Sequence, residues 1–469
     1  LTEFGDAEIA GMIAPRRLVI EACRVPMVQG PPQPRPGRAG GAPGRIEPIA
    51  LDAVRTEFGK AKVFYRKLGK ADELVLAISG DGQGALGSVK AVESFAATLG
   101  IIAKPTGYML EASLEKLPNN ISREKRQLDE MQAHVQELLK KSTAFRAKKW
   151  TANAVSATEW REPGNILRKW VQEELIGRLP HKKLSFNPRT RRVIANEHFV
   201  AYEVMLDVFP DVVTGGLLLL PRDLKAGERR PVVVCQHGLE RTAMDTLSRE
   251  ARVFRSYKAF SADLCRRGFI VYAPQNPYRG KDRFRVLQRM SNPLKRTLFS
   301  YIIAQHEQTL DWLGTLPQVD ARRIAFYGLS YGGKTAVRVP PFVPGYCLSI
   351  CSADFTDWVR SIATNNHRAG YLFTSEYEIP EWNMGHVASH AELAMLMAPR
   401  PFMVEAGRKD GGQPVAWVES EFAKVRQHYE ALEIGSLAEL DLFEGGHTIN
   451  GKGTFRFLHR HLNWPELRR

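Results

Sequence analysis

Arg323-Ile324-Ala325-Phe326-Tyr327-Gly328-Leu329-Ser330-Tyr331-Gly332-Gly333 reads as a short apolar strand that runs into Gly-x-Ser-x-Gly and on into a helix. A serine on such a turn is held out at the top of a parallel sheet, and Gly328 and Gly332 let the backbone make the turn. The amide after the serine, that of Tyr331, then faces the oxygen that becomes negative when a carbonyl is attacked. The bland alternative is a glycine-rich loop that merely contains a serine. The order strand, turn, helix favours the elbow.

Outward from this elbow, the chain from about residue 199 alternates strands and helices as α/β domains do. Residues 201–208 and 216–220 read as a hairpin, and 230–236 as a buried strand. A helix over 259–267 leads to a strand over 269–273, and a helix over 301–316 leads to the serine strand. Strands over 346–352, 401–406 and 438–443 complete the set. Continuous apolar runs in place of alternation mark strands covered on both faces. The expected fold is α/β, a mostly parallel central sheet of about eight strands flanked by helices. Two excursions leave the carboxyl ends of strands, where open α/β sheets bind ligands: an Arg-rich one over 277–295 and an aromatic one over 353–390.

At 469 residues the chain suggests two or more units. Hydrophobic content of 44% and charged content of 25% are ordinary for a globular protein. No apolar run is long enough to span a bilayer, which argues against a membrane protein. The net charge of +15 is spread along the chain without basic blocks interleaved with aromatics, which argues against a nucleic-acid partner. It could still draw in anionic substrates at long range. The five cysteines show no metal-type spacing, and Cys235, Cys347 and Cys351 sit in apolar runs as small buried hydrophobes. No signal segment follows Leu1, so a processed form or a fragment is expected; if processed, a secreted or periplasmic setting is favoured.

The first hundred residues hold an internal likeness. Residues 7–22, AEIAGMIAPRRLVIEA, parallel 391–406, AELAMLMAPRPFMVEA, and 54–68 parallel 418–432 in the same order. The expectation is a degenerate closing part of a first hydrolase unit over 1–104, a helical connector over 105–160 and a complete unit over 161–469. Within the connector, 122–150 is strongly helical, with apolar spacing at Leu128, Met131, Val135, Leu138 and Leu139. A Pro/Gly-rich loop is expected over 26–48. Extending the two matches places Pro26 opposite Asp410 and Gln83 opposite His447.

A serine hydroxyl needs an adjacent base, and the base an orienting acid. After Ser330, Asp410 lies in a glycine-rich loop past the strand PFMVEA, and His447 follows the last strand in EGGH. Glu405 competes as the acid, but it lies within the strand and recurs as Glu21, a framework pattern. His428 and His459 compete as the base from helices at solvent-facing spacing, and His386 and His390 from the aromatic excursion. The second oxyanion amide is expected from the loop after PVVVCQ, at Gly238 or Leu239, with His237 shaping the loop.

Together QHGLERT, GLSYGGKTA, AELAMLMAPRPFMVEAGRKD and EGGH resemble the α/β-hydrolase superfamily, nearest its acetylxylan-esterase-like and dienelactone-hydrolase-like bacterial branch. The resemblance spans about residues 161 to 467. It implies a serine carboxylic ester hydrolase using Ser330, Asp410 and His447, with no metal and no organic cofactor. Two departures stand out: dienelactone hydrolases proper carry cysteine where Ser330 stands, and the HGGG loop of lipases is reduced to His237-Gly238.

Arg279, Arg283 and Arg285 are candidates for an anionic or polyhydroxylated group, and Trp358, Tyr371, Phe373, Tyr377 and Trp382 for stacking on a ring. Each taken singly fits surface or packing as well. An acetylated carbohydrate leads as substrate, ahead of a uronate or aromatic ester. A peptidase acting on short peptides and a non-catalytic binding module are the remaining readings.

Overall fold

The computed structural model describes residues 3–30, 44–102, 121–150, 154–180, 182–281, 283–367, 370–372, 374, 376 and 379–466. The chain divides into two compact units, with a boundary between Asp129 and Glu130.

In the N-terminal unit, β1 (Leu18–Ala22) and β4 (Leu74–Ile78) pair in parallel, with Leu18 opposite Leu74. Between them, β2 (Val28–Gly30) and β3 (Gly44–Ile46) pair antiparallel, so the described flanks of the Pro/Gly-rich stretch are strands rather than loop. Helices Asp6–Gly11, Leu51–Lys67 and Val89–Thr98 accompany them. Its buried apolar cluster is small: Ala7, Ala61, Tyr65 and Leu74. Tyr65 donates its hydroxyl to Arg16 O (3.1 Å), and the Gly87 and Ser88 amides donate to the Glu21 carboxylate (2.9 and 2.8 Å).

The second unit carries a nine-stranded sheet. Its strands are β5 (Arg189–Ala195), β6 (Phe199–Phe209), β7 (Val212–Pro221), β8 (Arg230–Gln236), β9 (Ile270–Pro274), β10 (Val319–Leu329), β11 (Leu348–Ser352), β12 (Phe402–Gly407) and β13 (Ala438–Phe443). They run in the order β13-β12-β11-β10-β8-β9-β7-β6-β5. Strands β8 to β13 are parallel, and β5, β6 and β7 form an antiparallel flank. The mostly parallel sheet was legible in the sequence. The edge strand β5 was not, because its charged run is exposed on both faces, leaving no apolar pattern.

Alternate residues of each parallel strand feed cores on opposite faces. Phe326 packs with Ile302, Tyr346 and Phe422 on one face, and Tyr327 packs with Phe260, Leu264 and Phe457 on the other. Each such side chain contributes about 1.5–3 kcal/mol on burial, so both faces hold β10 in register. The chain passes from β8 to β9 on one side and then to β10 on the other. In such sheets this reversal marks the carboxyl ends of β8 and β10 as the place where ligands bind.

The helix expected over 122–150 forms as Ile121–Ala147, but Leu128, Met131, Val135 and Leu138 stay about half exposed; Leu139 packs on the core. Among the described residues no helix is long and apolar enough to cross a membrane. Cys235, Cys265 and Cys351 are buried thiols, whereas Cys347 is only partly buried.

Candidate active site

Ser330 stands between β10 and helix Tyr331–Ala336 with φ 62° and ψ −122°. A serine held at positive φ costs about 1–3 kcal/mol, which the surrounding bonds must offset. The Ser330 amide donates to Ser352 O at the end of β11 (2.9 Å), and Ser330 O accepts from the Lys334 amide (2.8 Å). A Cβ on Gly332 would stand 2.5 Å from Gln236 O, so only glycine lets the turn pack this closely on β8. The Tyr331 amide, at the first position of its helix, has no acceptor among the described residues.

Asp410 and His447 come from loops after β12 and β13. They meet through His447 Nδ1 and Asp410 Oδ2 at 2.8 Å, while Asp410 Oδ1 accepts from the Gly412 amide at 3.0 Å. With Nδ1–H donating to the carboxylate, Nε2 keeps its lone pair for a proton. Burial opposes the imidazolium, but the hydrogen bond and charge of Asp410, with Asp354 behind it, hold His447 above its ordinary pKa. Burial raises Asp410, and the His447 bond and the Gly412 amide bring it below its ordinary value. The loops are braced by Lys409 N to Gly445 O (2.8 Å) and Arg408 N to Phe443 O (2.9 Å). The Ser330 hydroxyl makes no hydrogen bond among the described residues.

The rival groups have other partners. Glu405 is fully buried and accepts from Ser352 Oγ (2.7 Å), Tyr327 Oη (2.9 Å) and the Gly451 amide (2.8 Å), tying three strands to the last helix. His459 is buried, with Nδ1 against Trp464 O (2.9 Å), and His428 is half-buried edge-on to Trp160. Neither faces solvent as their spacing suggested, because packing of neighbouring aromatics overrides the helical period. His390 is buried flat against Trp358, and burial drives its pKa well down. His386 is exposed at the aromatic excursion, edge-on to Phe145.

After β8, His237 is buried and neutral, its pKa pushed down to about 4 by burial. It bridges Gly238 O (2.8 Å) and the Asn276 amide (3.2 Å), which shapes the loop. Gly238 does not present a free amide: its N–H donates to Tyr257 Oη at 2.7 Å. The Leu239 amide has no acceptor among the described residues.

The expected substrate contacts need correction. Trp358 is fully buried, with Lys334 Nζ 4.1 Å from its ring centroid on one side and His390 stacked on the ring, so it offers no face to a sugar. Trp382 is partly buried, with Lys295 over its ring (5.5 Å). Arg285 is 1% exposed and its guanidinium is taken by two carboxylates. It donates from Nε to Glu376 (2.7 Å), donates from Nη2 to Glu376, and pairs with Glu240 at 2.9 Å. Nε and Nη2 are committed to these carboxylates and the side chain is buried, so it presents no cation at the surface. Arg279 and Arg283 are exposed, and Arg279 lines a cleft with Gln275 and Asn276. Tyr371 lies edge-on to Trp358; Phe373 and Tyr377 lie outside the described residues.

Sequence reasoning missed Asp354, 6% exposed beyond β11, whose carboxylate burial pushes up to about 7. Gln413 donates to it (3.1 Å) from the loop that carries Asp410. It also missed Tyr257, which no local pattern connects with the loop after β8. Among the described residues no group of three or more His, Cys, Asp or Glu side chains forms a metal-ion set.

The sheet order, the elbow and the loops at its carboxyl ends define an α/β-hydrolase fold. The sequence matches no protein-family model and no curated relative. In structure the chain is similar to a Bacteroides fragilis protein described as an acetyl xylan esterase (TM-score 0.51, 17% identity, 64% of this chain and 80% of that one). It is also similar to a CE15 glucuronoyl esterase from Teredinibacter turnerae T7901 (TM-score 0.50, 17% identity, 68% of this chain and 90% of that one).

Proposed function

We propose that the protein is a serine carboxylic ester hydrolase that removes an acyl group, acetyl first, from a carbohydrate ester. Ser330 Oγ attacks the ester carbonyl carbon while His447 Nε2 takes its proton, and Asp410 holds the resulting imidazolium. The carbonyl oxygen gathers negative charge before the Tyr331 amide, and the Leu239 amide is a candidate beside it. Collapse expels the alcohol, which receives the proton from His447. Water then repeats the sequence and releases the acid.

The Asp410–His447 contact and the positive-φ elbow serine together carry this reading. The likeness to a fold shared by a protein described as an acetyl xylan esterase and by a glucuronoyl esterase supports carbohydrate esters over peptides. A uronate ester is the second reading, favoured by exposed Arg279 and Arg283. The N-terminal unit is proposed to be a degenerate copy of the closing part of the same fold, holding Pro26 and Gln83 where Asp410 and His447 stand. The test is Ser330→Ala: turnover of nitrophenyl acetate and labelling by a fluorophosphonate should both disappear. Retained turnover sinks the assignment. A panel of acetylated sugars, uronate methyl esters and peptide amides then ranks the substrates.

A further inference from the structure

The loop after β8 has spent its glycine amide on a side chain, and that side chain stands beside the nucleophile. A Cβ built on Gly238 would lie 3.0 Å from Ser330 Cβ and 3.1 Å from Tyr257 Oη. Ser330 Cβ and the phenol oxygen therefore both crowd the Cα of Gly238, where only a glycine hydrogen fits. Tyr257 is 4% exposed. Its oxygen accepts from the Gly238 amide, and its own proton has no acceptor among the described residues. A buried hydroxyl proton without an acceptor is uncommon, because it forgoes a bond it would have had in water.

The phenol is also held in register with the base. The hydroxyl of Thr448, the residue after His447, shares its one proton between Arg255 O (2.8 Å) and Ser256 O (2.9 Å), the two carbonyls preceding Tyr257. The Ile449 amide adds a bond to Ser256 O (2.8 Å). Phe260 stacks on the ring, with centroids 6.4 Å apart and 18° between planes. One loop thus fixes both the imidazole and the phenol.

We infer that the Tyr257 hydroxyl is a catalytic donor to the oxyanion, acting with the Tyr331 amide and standing in for the Gly238 amide. The inference rests on the esterase reading above. As Ser330 Oγ bonds to the carbonyl carbon, the carbonyl π pair moves onto oxygen, and the Tyr257 O–H shortens its hydrogen bond to that oxygen. The phenol proton stays on Tyr257 throughout; only the Ser330 proton moves, to His447. The Gly238 amide, bonding to the phenol oxygen, polarises the O–H and strengthens it as a donor. Burial raises the phenol pKa to about 12, so it stays protonated wherever the base works.

Tyr257→Phe should lower kcat on nitrophenyl acetate about 100-fold with KM little changed, the loss of one oxyanion donor. Because that change also orphans the Gly238 amide, a second variant carries 3,5-difluorotyrosine at 257, which keeps shape and acceptor but ionises at lower pH. Its kcat should fall on the alkaline side as the fluorinated phenol ionises, a limb the parent protein lacks, with KM unmoved. A Tyr257→Phe kcat within twofold of the parent, or a fluorotyrosine profile of parental shape, overturns the inference. Failure of the parent protein to take a fluorophosphonate at Ser330 would instead overturn the esterase reading itself.

Discussion

At Asp410 and His447 the electrostatics set a pH window. His447 titrates above the usual value of about 6.5 because the Asp410 carboxylate outweighs burial. A raised histidine favours the fold below its unfolded pKa, and that contribution is lost as pH climbs through the folded value. A lowered aspartate favours the fold above about 3.9, and that contribution is lost as pH falls. The pair therefore stabilises most between about 4 and 6.5. On the proposed mechanism, catalysis needs the neutral imidazole and grows as pH passes above the His447 pKa. Asp410→Asn should cut kcat by about 10³–10⁴ and move the acid limb of kcat/KM to lower pH, as read from a pH-rate profile. A limb that stays in place transfers the orienting role to Asp354. The proposal of Ser330, Asp410 and His447 could be made from sequence because a nucleophile motif, a chain order and loop positions coincide. That of Tyr257 and Asp354 could not, since each acquires its meaning only from what the fold brings beside it.

Among the elements, helix Arg283–Ser291 buries Phe284, Gln288 and Ser291 and is tied to two other segments by Arg285. Arg285 joins it to Glu240, on the loop after β8, and to Glu376, in the aromatic excursion. The Glu240 side chain is 30% exposed and solvent screens its pairing, whereas Glu376 is 10% exposed and should dominate. Removing the cation leaves a buried carboxylate, which costs about 3–5 kcal/mol. Arg285→Met should show that loss in urea unfolding and should lower kcat/KM as the Glu240 loop loosens, whereas Glu240→Gln should cost far less. Equal losses in the two variants would place the strain elsewhere. The Arg-rich character of this helix was plain in sequence. That its Arg285 serves the fold rather than a ligand was not, because the partners lie far away in the chain.

Over the whole molecule, apolar burial is unevenly shared. The second unit packs large cores on both faces of its sheet, while among the described residues the N-terminal unit gathers a cluster of Ala7, Ala61, Tyr65 and Leu74 and otherwise buries only alanines. Exposed apolar side chains such as Phe95, Leu86 and Ile102 concentrate in that smaller unit. A core of that size supports marginal stability. Calorimetry should therefore show two transitions, the first lowered by Tyr65→Ala while fluorophosphonate labelling of Ser330 persists past it. A single transition would mean the units unfold as one. On the duplication proposed here, the bonds that recur are informative: Tyr65 to Arg16 O and Tyr429 to Arg400 O, the Gly87 amide to Glu21 and the Gly451 amide to Glu405. They recur although the acid and the base do not. On that proposal the chain serves as its own two-row alignment, and the residues on which the rows agree are those a designer should leave alone.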